Sequence, residues 1–136
     1  MNSSCSKQSI LERLAHSDSE TIEVSSDLSD VTLVFSYQGV PESRVVILLG
    51  RVINFVISKP LNHTELSFII MEAILSKLDD GGEAVLRKTG YGFVGQDGNV
   101  ATYPNIDLYH FHLEGEICAD IVCRSFDLLI PAKQDV

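Results

Sequence analysis

The stretch Arg44 to Ser58, RVVILLGRVINFVIS, limits the folds open to this chain more than any other segment. Its apolar residues fall on both parities of an extended chain. Val45, Ile47, Leu49, Ile53, Phe55 and Ile57 share one parity, and Val46, Leu48, Val52 and Val56 share the other. Successive side chains of a strand point to opposite faces, so this pattern predicts a central strand covered on both sides. Gly50 marks the expected bend or bulge. Ahead of it, Val31 to Tyr37 (VTLVFSY) is β-branched, aromatic and partly alternating, which predicts a second strand. Gln38-Gly39-Val40-Pro41 is the turn between the two, Thr21 to Val24 a short strand, and Ser25 to Asp30 a polar turn.

The pattern changes on either side of these strands. Ser9 and Glu12 stand at capping-box spacing before Ile10, Leu11 and Leu14, which predicts a short N-terminal helix. Beyond Pro60, Asn62 stands as an N-cap with Glu65 three residues on. Leu66, Ile69, Ile70, Ala73, Ile74 and Leu78 then repeat at helical spacing. This predicts a long helix from His63 to Leu78, stopped by Asp79-Asp80-Gly81-Gly82. Ala84 to Gln96 and Asn99 to Tyr103 read as strands joined at Asp97-Gly98, a hairpin signal. Ile106 to Leu113 and Ile117 to Arg124 read as strands flanking a Glu114-Gly115-Glu116 turn, with Phe126 to Ile130 last. The expected fold is α+β: a mostly antiparallel sheet of roughly seven strands, one long helix packed on it, and a short N-terminal helix. The 136 residues suit a single domain. Its expected parts are the helix and loop of 1–19, an α+β core over 20–130 and a tail at 131–136.

Charge narrows the function classes. The net charge is −9, and the ten basic residues are scattered, which argues against direct nucleic-acid binding. The acids are grouped: Asp18, Glu20, Glu23, Asp27 and Asp30 form one run, and Asp107, Glu114, Glu116 and Asp120 a second. Such runs solubilise a protein, and they also steer a basic partner toward it. No apolar run reaches the roughly 18 residues that span a bilayer, and the first residues lack a signal-peptide core, so a cytoplasmic location is expected. The three cysteines, Cys5, Cys118 and Cys123, fit a reducing compartment, with Cys118 and Cys123 expected as inert core residues.

The residues best suited to chemistry lie on YHFHLEGE. Strand alternation puts Tyr109, Phe111 and Leu113 on the core side and His110, His112 and Glu114 on the other. Two imidazoles two residues apart, with a carboxylate, can chelate a metal. The same pattern also describes the polar face of a half-buried strand. The GYGFVG segment, Gly90 to Gly95, lacks the lysine and following helix of a phosphate loop. Without a nucleophile elbow, a zincin helix or a dinucleotide fingerprint, the expectation is a non-enzyme that needs no cofactor. Arg51, inside the most apolar strand, either marks where that strand reaches solvent or pairs with an acid such as Asp107 or Asp120.

The order VTLVFSY, RVVILLGRVINFVIS, YHFHLEGEICADIVCRSFDLLI resembles small bacterial immunity proteins that neutralise polymorphic or contact-dependent toxins. The resemblance implies an intracellular antitoxin, a toxin inhibitor that blocks a basic toxin domain such as a nuclease. The partner-binding residues expected on charge and position are His110, His112, Glu114, Glu116, Asp120, Glu20, Glu23 and Asp27, with Tyr91, Tyr103 and Tyr109 as candidate anchors. The alternatives are a small-molecule or metal-binding module built on His110 and His112, and a subunit or adaptor of a larger complex.

Overall fold

The structure is a computed structural model that describes residues 10–37, 41–62, 67–89, 91 and 106–129. Its strands are β1 (Ser17–Val24), β2 (Asp30–Ser36), β3 (Val45–Ser58), β4 (Phe68–Leu78), β5 (Leu108–Gly115) and β6 (Cys118–Leu129). They close into a barrel in the order β1-β2-β3-β6-β5-β4. Every neighbouring pair is antiparallel. Two three-stranded meanders are thus sealed along β3–β6 and β1–β4. The β1–β4 seam is the short one, made by Ser17, Asp18 and Ser19 against Ile70, Ile69 and Phe68.

The interior is filled from all around the wall. Val31, Leu33 and Phe35 enter from β2, Ile47 and Leu49 from β3, and Ile70 and Ala73 from β4. Phe111 and Leu113 enter from β5, and Ala119, Ile121, Cys123 and Phe126 from β6. The rings of Phe111 and Phe126 lie 5.3 Å apart at 46°, a tilted aromatic pair. Leu11 and Leu14 join the same cluster from the N-terminal side, where residues 10–12 form a helical turn.

β3 is the longest strand and pairs with both β2 and β6. It bends at the expected place: Arg51 adopts φ 53° beside Gly50, and the register shifts between Val52 and Asn54. Leu49 and Val52 both pack on the interior although they stand three apart, and opposite them Cys123 and Phe126 do the same. The bend therefore restores inward parity on two strands at once. Arg51 is exposed, so it marks the point where the strand reaches solvent. Cover on the outer face is partial: Ile53 is packed, while Val56 is exposed.

Among the described residues the long helix expected from His63 to Leu78 is absent, and the α+β arrangement built on it is corrected to a closed barrel of the six described strands with short helical segments. Residues 68–78 are strand β4. Its register on β5 slips between Ile70 and Glu72, which inserts one extra residue. Inward side chains consequently fall at Ile70, Ala73 and Leu75, with a spacing of three and then two. Ile69, Ile74 and Leu78 lie off that inward set, Ile69 and Ile74 exposed and Leu78 in a separate outer cluster. The apparent helical stripe combined residues from both faces of a bulged strand.

The Asp79-Asp80-Gly81-Gly82 stop starts a helix instead of ending one. Asp80 accepts hydrogen bonds from the Gly82 and Ala84 amides at 2.9 and 3.0 Å, and these hold its carboxyl below the usual range. Gly81 and Gly82 take positive φ values of 70° and 85° that other residues resist. Helix α1 (Glu83–Lys88) follows, where a strand from Ala84 had been expected. Its Leu86 packs outside the barrel with Leu108 and Val122, joined by Ile53, Leu78, Val85 and Tyr91.

β5 runs on through Glu114 to Gly115, so the closing turn falls one residue later than expected, and β6 continues unbroken to Leu129. Ser9, His63, most of the Gly90 to Gly95 segment, the Asp97-Gly98 hairpin, the Asn99 to Tyr103 strand and Cys5 lie outside the described residues. No described helix is long and apolar enough to cross a membrane.

Candidate functional site

The β5–β6 hairpin turns through Gly115, Glu116 and Ile117, with Glu114 opposite Cys118 and His112 opposite Asp120. His110 stands opposite Val122, so Asp120 is its diagonal neighbour. On the other side of β5, Ile74 faces His112 and Ser76 faces His110. Two transverse rows therefore cross the outer wall: Ile74, His112, Asp120 and Ser76, His110, Val122.

The carboxylate lies between the imidazoles. Asp120 Oδ1 is 2.7 Å from His110 Nε2 and 2.8 Å from His112 Nδ1. His112 Nε2 lies 3.3 Å from Glu114 Oε1. For these contacts to be hydrogen bonds, His110 carries a proton on Nε2 and His112 carries one on each nitrogen. Burial by itself lowers the His112 pKa, but the hydrogen bonds to Asp120 and Glu114 and their charges outweigh it and raise the pKa. Burial by itself raises the Asp120 pKa, and the bonds from His112 and His110 reverse that and lower it. His110, His112 and Asp120 side chains are 19%, 25% and 26% exposed, reachable from solvent yet mostly out of it.

These side chains open onto a depression of about 340 Å³ whose other walls are Ile74, Ser76, Val85, Lys88 and Thr89. Helix α1 forms the far rim and is fixed there at both ends. Leu86 anchors it in the outer apolar cluster. Asn54 Nδ2 on β3 donates to Thr89 Oγ1, whose hydroxyl donates to Val85 O at 3.1 Å.

One potential ligand atom from each of His110, His112 and Asp120 lies within 4.8 Å of the others. Sequence alternation placed the two histidines on one outward face and named Glu114 as their carboxylate. The structure gives that place to Asp120. A turn at Gly115-Glu116-Ile117, one residue later than Glu114-Gly115-Glu116, would have signalled this, because it sets His112 against Asp120. Nothing in the pattern pointed to Lys88 or Thr89, which reach the site only because α1 folds back over the wall.

The other charged candidates sit apart from this cluster and are occupied locally. Glu20 accepts from Ser36 Oγ and pairs with Arg44. Asp27 accepts from Ser25 Oγ and from the Ser29 amide and hydroxyl, which hold its carboxyl low. Glu23 is exposed on β1. Glu116 accepts from the Ile69 amide at 2.8 Å, tying the hairpin turn to β4. Cys123 is buried, and desolvation pushes its thiol up to about 12. Cys118, expected in the core, is exposed on the outer face, and burial with the nearby Asp120 and Glu114 charges raises its pKa. Tyr91 packs beneath α1 and Tyr109 against the barrel interior, while Tyr103 lies outside the described residues.

No protein-family model matches the chain, and no curated protein matches it significantly. Fold and site together define a closed antiparallel barrel with a histidine–aspartate cluster on its outer wall.

Proposed function

We propose that this protein is a metal-binding module that takes a divalent transition-metal ion between His110, His112 and Asp120. The observation that carries this reading is the single oxygen, Asp120 Oδ1, within 2.8 Å of a nitrogen on each imidazole. Ligand atoms of a tetrahedral zinc site, each about 2.0–2.1 Å from the ion, stand roughly 3.3 Å from one another. Asp120 Oδ1 therefore needs to part from each nitrogen by only about half an ångström to share an ion in place of a proton. Two imidazoles and one carboxylate favour zinc, cobalt or nickel over calcium and magnesium, which prefer all-oxygen shells. Three protein ligands leave at least one coordination position open toward the depression.

Titration of the metal-depleted protein with zinc is expected to reach one equivalent and to raise the melting temperature by several degrees. Free zinc at 100 times the dissociation constant stabilises the fold by about 2.7 kcal/mol. Chelator should reverse the shift, and the double variant His110→Ala, His112→Ala should abolish it. A shift of the same size in the double variant would remove the site from consideration.

A second reading, a protein-binding module of the immunity-protein kind, is favoured by an apolar strip beside the same carboxylates. Ile69, Met71 and Ile74 project from β4, with Met71 50% exposed, and Glu72 and Glu114 lie on the adjoining surface. Apolar anchors inside an acidic rim suit a basic protein partner. Met71→Asp with Glu114→Lys should then weaken capture of a basic partner at least tenfold, whereas Glu23→Lys on β1 should not. Equal capture by all variants in pull-downs at two salt concentrations would exclude this surface.

A further inference from the structure

We infer that the depression beside the histidine–aspartate cluster binds a small dicarboxylate, one carboxylate on the metal ion and the other at Lys88. This rests on the metal-binding reading and specifies the ligand for the open coordination position.

Charge at the depression points this way. A divalent ion held by neutral imidazoles and Asp120 keeps one net positive charge. Lys88 lines the same depression and adds a second, whereas the protein as a whole carries −9. Two cationic anchors, the ion and Lys88, select for an anion with two acid groups, although Glu114 beside His112 offsets part of their charge. Among the described residues Asp120 is the one carboxylate that lines this depression, and the metal engages it. The walls set the rest of the ligand's chemistry. Ile74 and Val85 are apolar and accommodate a short methylene spacer, while Ser76 and Thr89 offer hydroxyls. A volume of about 340 Å³ is ample for a dicarboxylate of three to four carbons. The helix that carries Lys88 along the depression is started by Asp80 and fastened by Asn54 through Thr89.

Cobalt-loaded protein titrated with succinate and malonate tests this, because a carboxylate entering the coordination sphere changes the visible cobalt spectrum. The expected result is a saturable spectral change for the dicarboxylates and none for succinamide. Lys88→Gln should weaken dicarboxylate binding about tenfold and leave cobalt affinity within about threefold. Lys88→Arg should restore most of the loss. Stoichiometric cobalt binding without a spectral response to dicarboxylates overturns this inference and leaves the metal site intact. Equal succinate affinity in the metal-free protein overturns it as well, since the ion would then play no part. Absence of stoichiometric cobalt binding overturns both readings together.

Discussion

Phe111→Ala is expected to destabilise the barrel by about 3–5 kcal/mol. The side chain is fully buried at the middle of β5, directly opposite Leu75 on β4 and Ile121 on β6, with the Phe126 ring beside it. Its removal takes an aromatic pair from the interior and leaves a void that a closed wall cannot collapse to fill, because each strand is held on both sides. Domains of this size are stable by only about 5–15 kcal/mol, so the variant should sit near its unfolding threshold at room temperature. Urea denaturation measures the loss, and Ile57→Ala, on an exposed side chain of β3, is the control expected within about 0.5 kcal/mol of wild type. A Phe111→Ala loss below about 1 kcal/mol would mean that β5 does not face the interior with Phe111.

Strand period two assigned Phe111 and Leu113 inward and His110 and His112 outward without help from the rest of the chain. β2 and β3 were equally legible, because β-branched and aromatic runs bounded by turn residues leave few alternatives. β4 was not. One inserted residue at Met71 turned a spacing of two into a spacing of three, and the exposed Ile69 and Ile74 supplied the false remainder of a helical stripe. Local periodicity cannot separate a bulged strand from a helix, since the bulge is stabilised by pairing with β5, far away in sequence. Asp80-Gly81-Gly82 misled for a related reason. Acids and glycines punctuate helix starts as readily as helix ends, and only the Asp80 bonds to the Gly82 and Ala84 amides decide which.

The site was half legible by the same logic. The histidines belong to one strand, and their shared face follows from alternation alone. Asp120 belongs to the next strand, and its place depends on hairpin register, which a turn of different length would have moved by a residue and onto the other face. Lys88 depends on helix packing across the outer wall. The fraction of a site that can be read from sequence falls with each strand or helix that must be placed to complete it.

Asp120→Asn is expected to weaken zinc binding on the order of 100-fold or more, since even outer-shell partners of a metal ligand are worth about 10–100-fold. The same substitution should alter the metal-free protein in the opposite pH range. The His112 pKa is raised in the fold, so its contribution to stability is complete below the unfolded value near 6.5 and fades as pH rises through the folded one. The Asp120 pKa is lowered, so its contribution is present above about 3.9 and lost as pH falls through the folded value. Both act together between about pH 4 and 6.5, where metal-free wild type should exceed Asp120→Asn most clearly in stability. Zinc needs the His112 nitrogen free of its proton, so its affinity for wild type should climb as that stabilisation fades. Melting curves from pH 4.5 to 8, with and without zinc, separate the two. A gap between wild type and variant that is widest at low pH without zinc, and widest at high pH with it, is the pattern a metal centre requires. A gap that zinc leaves unchanged at pH 8 would reduce the cluster to a structural hydrogen-bond network.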